Sequence, residues 1–271
     1  MTEKILENFS IAQICESGQC FRMEEIQDGR YQVIAGDRYL ELEQQGNRVR
    51  FDCTEVEYRD FWRHYFDIET DYGAVMAQIN PNDTYLTAAA QLAWGVRILN
   101  QDLWEMIVTF LISQQNNIVR IRRCIKNLCE TYGTAQTASN GVCYYAFPTA
   151  QALAGLEEDA LMACNLGYRS KYVVRAAKAV SSGEVDLAWI SSLNYQKARA
   201  ELLKLFGVGE KVADCICLFA LHHLDAFPVD THIRQVMEQH YKRGFPNRRY
   251  KGIRGIMQQY IFYYELHGSE K

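Results

Sequence analysis

Leu202-Leu-Lys-Leu-Phe-Gly-Val-Gly-Glu-Lys-Val-Ala-Asp-Cys-Ile-Cys-Leu-Phe-Ala-Leu221 is the stretch on which the fold of this chain turns. Leu202, Leu205 and Phe206 lead out of one amphipathic helix into Gly207, and a second helical pattern begins near Lys211. The link, Gly207-Val208-Gly209, is too short to be a flexible linker. Its glycines allow a tight turn and present amide N–H groups at the start of the second helix. With the helix dipole behind them, such amides form an anion site suited to a phosphate. A plain helix–turn–helix corner accounts for an isolated Gly-x-Gly nearly as well, so the assignment depends on the surrounding residues.

Lys211 stands in the first turn of the second helix, where its cation opposes the positive end of the dipole. That placement favours a neutral amine, the form a Schiff-base nucleophile requires. Taken alone, a solvated surface lysine is the simpler account. Nineteen residues on comes Phe227-Pro-Val-Asp-Thr-His232. Asp230 fits the N-cap of a helix running from Thr231, and a carboxylate there can also stabilise positive charge on a sugar ring. His232 is placed to meet a phosphate.

Working outward, the first part of the chain reads as strand. Apolar and polar residues alternate in Tyr39–Glu43 and in Arg48–Cys53, with Gln44-Gln-Gly-Asn47 as a hairpin turn, and Tyr31–Ile34 is a third strand. One apolar face per strand predicts an antiparallel sheet covered on one side. From about residue 85 the period becomes helical. Leu103, Ile107, Phe110 and Leu111 share one helical face, and Asp102 with Glu105 ahead of them resembles a capping box. Ile118, Ile121, Ile125 and Leu128 mark a second helix, and Tyr172, Ala176 and Val180 a third that ends at Gly183. The expected fold is α+β: a β-rich part over residues 1–90, then a mostly helical part over 91–271.

Composition sets the outer limits. The net charge of −4 over 271 residues argues weakly against a polyanionic partner. The charge is uneven, however. Residues 1–100 carry 9 Lys and Arg against 17 Asp and Glu, and residues 101–271 carry 20 against 16. A mildly basic second half suits contact with phosphate. Nine cysteines, an odd number with no Cys-x-x-Cys pair and no export signal, read as small buried hydrophobes and not as disulfides or a metal site. No apolar run reaches bilayer length, so an intracellular location is expected, cytoplasmic or nucleoid, or nuclear in a eukaryote.

The segment from Leu202 to His232 resembles the helix–hairpin–helix and Gly/Pro…Asp signature (HhH-GPD) of the base-excision DNA glycosylases. Within that superfamily the wording is most similar to the 8-oxoguanine DNA glycosylases. Ser17-Gly-Gln-Cys-Phe-Arg22 resembles the family's N-terminal segment, Gln114-Gln-Asn-Asn-Ile-Val-Arg120 its asparagine loop, and Leu166-Gly-Tyr-Arg-Ser-Lys-Tyr172 its Leu-Gly-Tyr-Arg turn. The matches run in order along nearly the whole chain.

The resemblance implies a glycosylase and β-lyase acting on duplex DNA that contains 8-oxoguanine, preferably opposite cytosine. It implies Lys211 as nucleophile and Asp230 as stabiliser of the oxocarbenium-like transition state, with the target base flipped out of the stack. Gly18, Cys215, Gln258 and Phe262 are implied to line the base pocket. The carbonyl of Gly18 would meet the N7 hydrogen that the lesion has and guanine lacks. Asn116, Asn117, Arg120, Tyr168, Arg169, Gly207, Val208, Gly209 and His232 are implied to touch DNA. Among these, Arg120 and Arg169 read the orphaned cytosine and Tyr168 wedges the gap. No metal or organic cofactor is implied, no membrane partner, and a monomer is expected. Hairpin amides in place of many basic side chains would give a modest salt dependence.

Two positions depart from the family pattern. Gln115 stands where Asn is usual, and Met23 where an aromatic residue usually follows Arg22. No cysteine follows Asp230, so the four-cysteine iron–sulfur motif of the endonuclease-III-like and adenine-glycosylase-like branches is absent. Alkylbase glycosylases generally lack the hairpin lysine. A non-catalytic DNA-binding module would need neither Lys211 nor Asp230.

Overall fold

The computed structural model describes residues 1–268. Five antiparallel strands, β1 (Thr2–Ile5), β2 (Met23–Gln27), β3 (Arg30–Ala35), β4 (Arg38–Gln45) and β5 (Arg48–Phe51), form one sheet in the order β1-β5-β4-β3-β2. The three strands expected from alternation are present, each slightly longer or shorter than read. Strands β1 and β2 are additional. The β4–β5 turn closes on Gly46 and Asn47, and register pairs Val33 with Leu40 and Leu42 with Phe51. These residues, with Met23 and Val49, form the buried face.

Helix α1 (Ile11–Glu16) packs Ile11 and Ile14 onto this face. The sheet is followed by α2 (Glu55–Glu57), a π turn (Tyr58–Trp62) and α3 (Arg63–Tyr65). They add Tyr58, Trp62, Tyr65 and Phe66 to the same core. Helical structure thus begins well before residue 85. Its aromatic density hides a 3.6-residue period.

A second core is mostly helical. It is built from α4 (Tyr72–Met76), α5 (Thr84–Leu92), α6 (Leu103–Ser113) and α7 (Ile118–Tyr132), then a two-stranded ribbon of β6 (Ala135–Thr137) and β7 (Cys143–Tyr145). The remaining helices are α8 (Ala150–Ala154), α9 (Ser170–Ser181), α10 (Leu187–Ser191), α11 (Tyr195–Leu202), α12 (Glu210–Phe219), α13 (Thr231–His240) and α14 (Arg254–His267). Helix α6 is buried nearly all round, as its run of apolar residues requires.

Asp102 caps α6 by accepting from the Glu105 amide at 2.8 Å, but Glu105 does not complete a capping box. Its carboxylate accepts from the Gly36 amide at 3.0 Å and pairs with Arg22 at 3.2 Å. Arg22 also donates to the carbonyls of Gly36 and Tyr145. Both side chains are buried, so this pair clamps the sheet and the ribbon to α6. Burial pushes the Glu105 carboxyl up, and the charge of Arg22 pulls against that shift. Buried Arg97 makes a second clamp, donating to the carbonyls of Glu7, Asn8, Asp67 and Thr70 at 2.7–3.2 Å. Eight of the nine cysteines are buried, and Cys143 is exposed.

Candidate active site

The hairpin forms as its sequence requires. Gly207 has φ +89°, and a Cβ there would stand 2.7 Å from the Tyr172 ring, so both backbone conformation and space demand glycine. Val208 buries its side chain and donates its amide to Leu205 at 3.0 Å. Gly209 is the N-cap of α12 and offers no side chain to that helix's first amides. The N–H groups free to meet an anion are therefore those of the first turn of α12.

Lys211 lies in that turn, half-buried, with its ammonium nitrogen 5.4 Å from the Phe110 ring centre. One turn on, at i+4, is Cys215, a buried thiol pushed up by burial and drawn down by the adjacent Lys211. The charge of Asp230 also reaches Cys215. Asp230 caps α13, its Oδ1 accepting from the Ile233 amide at 2.9 Å, as its place in the sequence predicts. Two residues later the His232 ring lies 6.1 Å from Phe262.

Phe262 connects this group to the N-terminal segment. Gly18 has φ +72°, and a Cβ on it would stand 2.9 Å from Phe262 Cε1. Gln258, one turn earlier on α14, is buried, and its Oε1 has no hydrogen-bond partner among the described residues. Gly18, Gln258, Phe262 and His232 thus gather on the side of the molecule that holds Lys211, Cys215 and Asp230. A cleft of about 290 Å³ opens beside Gly18, lined in part by Cys15, Ile118, Arg122 and His267.

A second group surrounds the Gln114–Asn117 loop. Asn117 caps α7 by accepting from the Arg120 amide at 2.9 Å, and Asn116 Nδ2 donates to Ile112 at 3.1 Å. Arg120 is exposed in the first turn of α7. Tyr168 is 47% exposed, stacked edge-on to Tyr172 and beneath the Arg169 guanidinium. Gln115 has φ +46°, a left-handed conformation that Asn adopts more readily than Gln. The loop is tied to the hairpin by Gln114 Nε2, which donates to Gly207 O at 3.0 Å.

Arg169 is placed differently from Arg120. It is 3% exposed and donates to the carbonyls of Gln114, Gln115 and Leu166. Its guanidinium holds the strained Gln115 turn and is not presented at the surface.

Sequence reasoning missed the residues that fix this geometry. Gln19 is fully buried and bonds to Ser17, Arg97, Leu99 and Gln101. Gln259 donates to Ser17 O at 2.6 Å, so Gly18 is framed by two buried glutamines. Asp214 accepts from Tyr195 and Arg199, both at 2.7 Å, and so locks α11 to α12. The available signal was a polar residue inside an apolar helical run, as in Gln258-Gln259 and Asp214.

Comparison with known proteins gives the family. Residues 3–107 match the 8-oxoguanine DNA glycosylase N-terminal domain, and residues 108–247 match the HhH-GPD superfamily base excision DNA repair protein. An N-glycosylase/DNA lyase of Saccharomyces cerevisiae is 35% identical over 59% of this chain, which spans 46% of that relative's length. A probable N-glycosylase/DNA lyase of Methanothermobacter thermautotrophicus is 30% identical over 74% of this chain and 70% of its own. The Clostridium acetobutylicum 8-oxoguanine glycosylase/lyase, solved with duplex DNA bearing cytosine opposite 8-oxoguanine, superposes with a TM-score of 0.91. It is 35% identical over 97% of this chain and 93% of that one. The chain belongs to the HhH-GPD superfamily of base excision DNA repair proteins, on its 8-oxoguanine DNA glycosylase branch.

Proposed function

We propose that the chain is a bifunctional glycosylase/lyase that everts 8-oxoguanine from duplex DNA and excises it through Lys211. The neutral amine attacks C1′ of the damaged nucleotide and the bond from C1′ to the base breaks, the base leaving with a proton from the amine. The C1′–O4′ bond of the resulting aminal then opens, O4′ takes up a proton, and a Schiff base to Lys211 remains. Loss of a 2′ proton then eliminates the 3′ phosphate. Asp230 stabilises the positive charge that develops on the sugar. The observation that supports this reading is the convergence of Lys211, Cys215 and Asp230, with the N-terminal Gly18 joined to the same group through Phe262 and His232. The unpartnered buried Oε1 of Gln258 is an acceptor suited to the N–H groups on guanine's Watson–Crick edge.

Borohydride trapping on an 8-oxoguanine duplex tests the mechanism. Wild-type protein should give a covalent adduct, and Lys211→Gln should give none while still binding the lesion. An adduct in the variant would mean another nucleophile and would overturn the assignment.

Opposite-base preference is read by exposed Arg120, with Arg169 supporting the turn. Arg120→Ala should lower excision modestly opposite cytosine and raise it, relatively, opposite adenine and thymine, since one good contact contributes about 1–3 kcal/mol of discrimination. Single-turnover rates opposite all four bases decide this, and an unchanged profile would remove Arg120 from the role.

A further inference from the structure

Residues 239–264 contain six cations, Lys242, Arg243, Arg248, Arg249, Lys251 and Arg254, and not one Asp or Glu. Arg254 is paired with Asp225 at 2.8 Å. The other five are exposed and lie on the connection between α13 and α14. The connection itself is anchored. Phe245 is buried against Phe227, Tyr241 and Tyr250, with ring centres 4.8–5.6 Å apart. The Tyr250 hydroxyl accepts from the Asn80 amide at 3.1 Å, and the Gly252 amide donates to Asp225 at 2.6 Å. The five charges are therefore carried on a fixed support.

Both flanking helices belong to the active site. Helix α13 starts at Asp230, and its ten residues reach about 15 Å. Helix α14 brings in Gln258 one turn after Arg254. We propose that residues 242–251 form a second phosphodiester-binding surface, gripping the DNA backbone at the far end of α13 from Asp230. This rests on the function proposed above. A lipid surface or an acidic protein fits less well, because lasting binding to either is reinforced by apolar anchors beside the charge. None of the exposed large apolar side chains lies in this segment. The surface also replaces the modest salt dependence expected from hairpin amides alone with a steeper one.

The test is the slope of log affinity against log salt on an undamaged duplex of about 24 base pairs. It compares the wild type with Lys242→Gln/Arg243→Gln/Arg248→Gln/Lys251→Gln, four side chains that donate no hydrogen bond to the described residues. Each lost phosphate contact should lower the slope by about 0.9, and the full variant should bind about tenfold or more weakly near 0.15 M salt. Excision of 8-oxoguanine at saturating enzyme should be unchanged. Undamaged DNA separates this test from the function proposed above. Failure of the wild type to excise 8-oxoguanine would sink the glycosylase reading and leave the slope comparison valid. Equal slopes overturn the proposal. Equal slopes together with wild-type-only retention on phosphatidylglycerol vesicles would reassign the surface to lipid.

Discussion

Asp230 caps α13, and the proposed function gives the same carboxylate an electrostatic role that can be separated from the cap. As N-cap it holds the first turn of α13, which an amide oxygen does equally well. As an electrostatic group it needs its negative charge. Asp230→Asn should therefore unfold within about 0.5 kcal/mol of wild type yet lose most single-turnover excision. Asp230→Ala should lose about 1 kcal/mol of stability as well. Equal loss of stability in both variants, seen in urea melts, would mean that the charge itself supports the fold. The cap was legible in the sequence, because capping is local, whereas the electrostatic role rests on the family resemblance. The support of Gly18 by Gln19 and Gln259 was not legible, since their partners lie up to 242 positions away.

At the scale of elements, the hairpin and its two helices were the clearest feature of the sequence, where glycine punctuation and apolar period agree. Gly207→Ala places a methyl against the Tyr172 ring and forces an L-residue to φ +89°. Strain of about 1–2 kcal/mol and overpacking of about 1–3 kcal/mol should together lower stability measurably in urea. DNA affinity should fall too, because Gln114 and the Gln115 turn hang from the Gly207 carbonyl. Stability near wild type would show that Tyr172 moves freely and is no part of the site's frame. Strand β1 escaped detection because four residues at the chain start pair with β5 some fifty positions on, leaving no local turn signal. Strand β2 escaped because only Met23 of its five residues is buried.

For the whole molecule, the decisive interaction is the buried Arg22–Glu105 pair, which bonds two cores that each could be read separately from sequence. Arg22→Met leaves a buried carboxylate without its counter-charge and should cost about 3–5 kcal/mol. Arg22→Met/Glu105→Leu should recover part of that loss, because an unpaired buried charge is worse than none. Additive losses in the double variant, measured by denaturant unfolding, would contradict the pairing. Nothing in the one-dimensional pattern marked this pair. Glu105 looked like half of a capping box, and only the fold turns its carboxylate towards the sheet.

The buried cysteines have a consequence for a protein assigned to oxidative damage. Thiolate, not thiol, is the form that oxidants attack, and burial pushes the thiols of Cys15 and Cys53 up to about 11 and those of Cys129 and Cys217 up to about 12. Cys20, Cys124, Cys164 and Cys215 are raised by the same cause. Eight of nine sulfurs are thus held as thiols, their least reactive form. Packing that raises the thiols in this way also lowers the thiolate fraction on which oxidants act, so the sulfur-rich interior is expected to react slowly under the conditions that generate 8-oxoguanine.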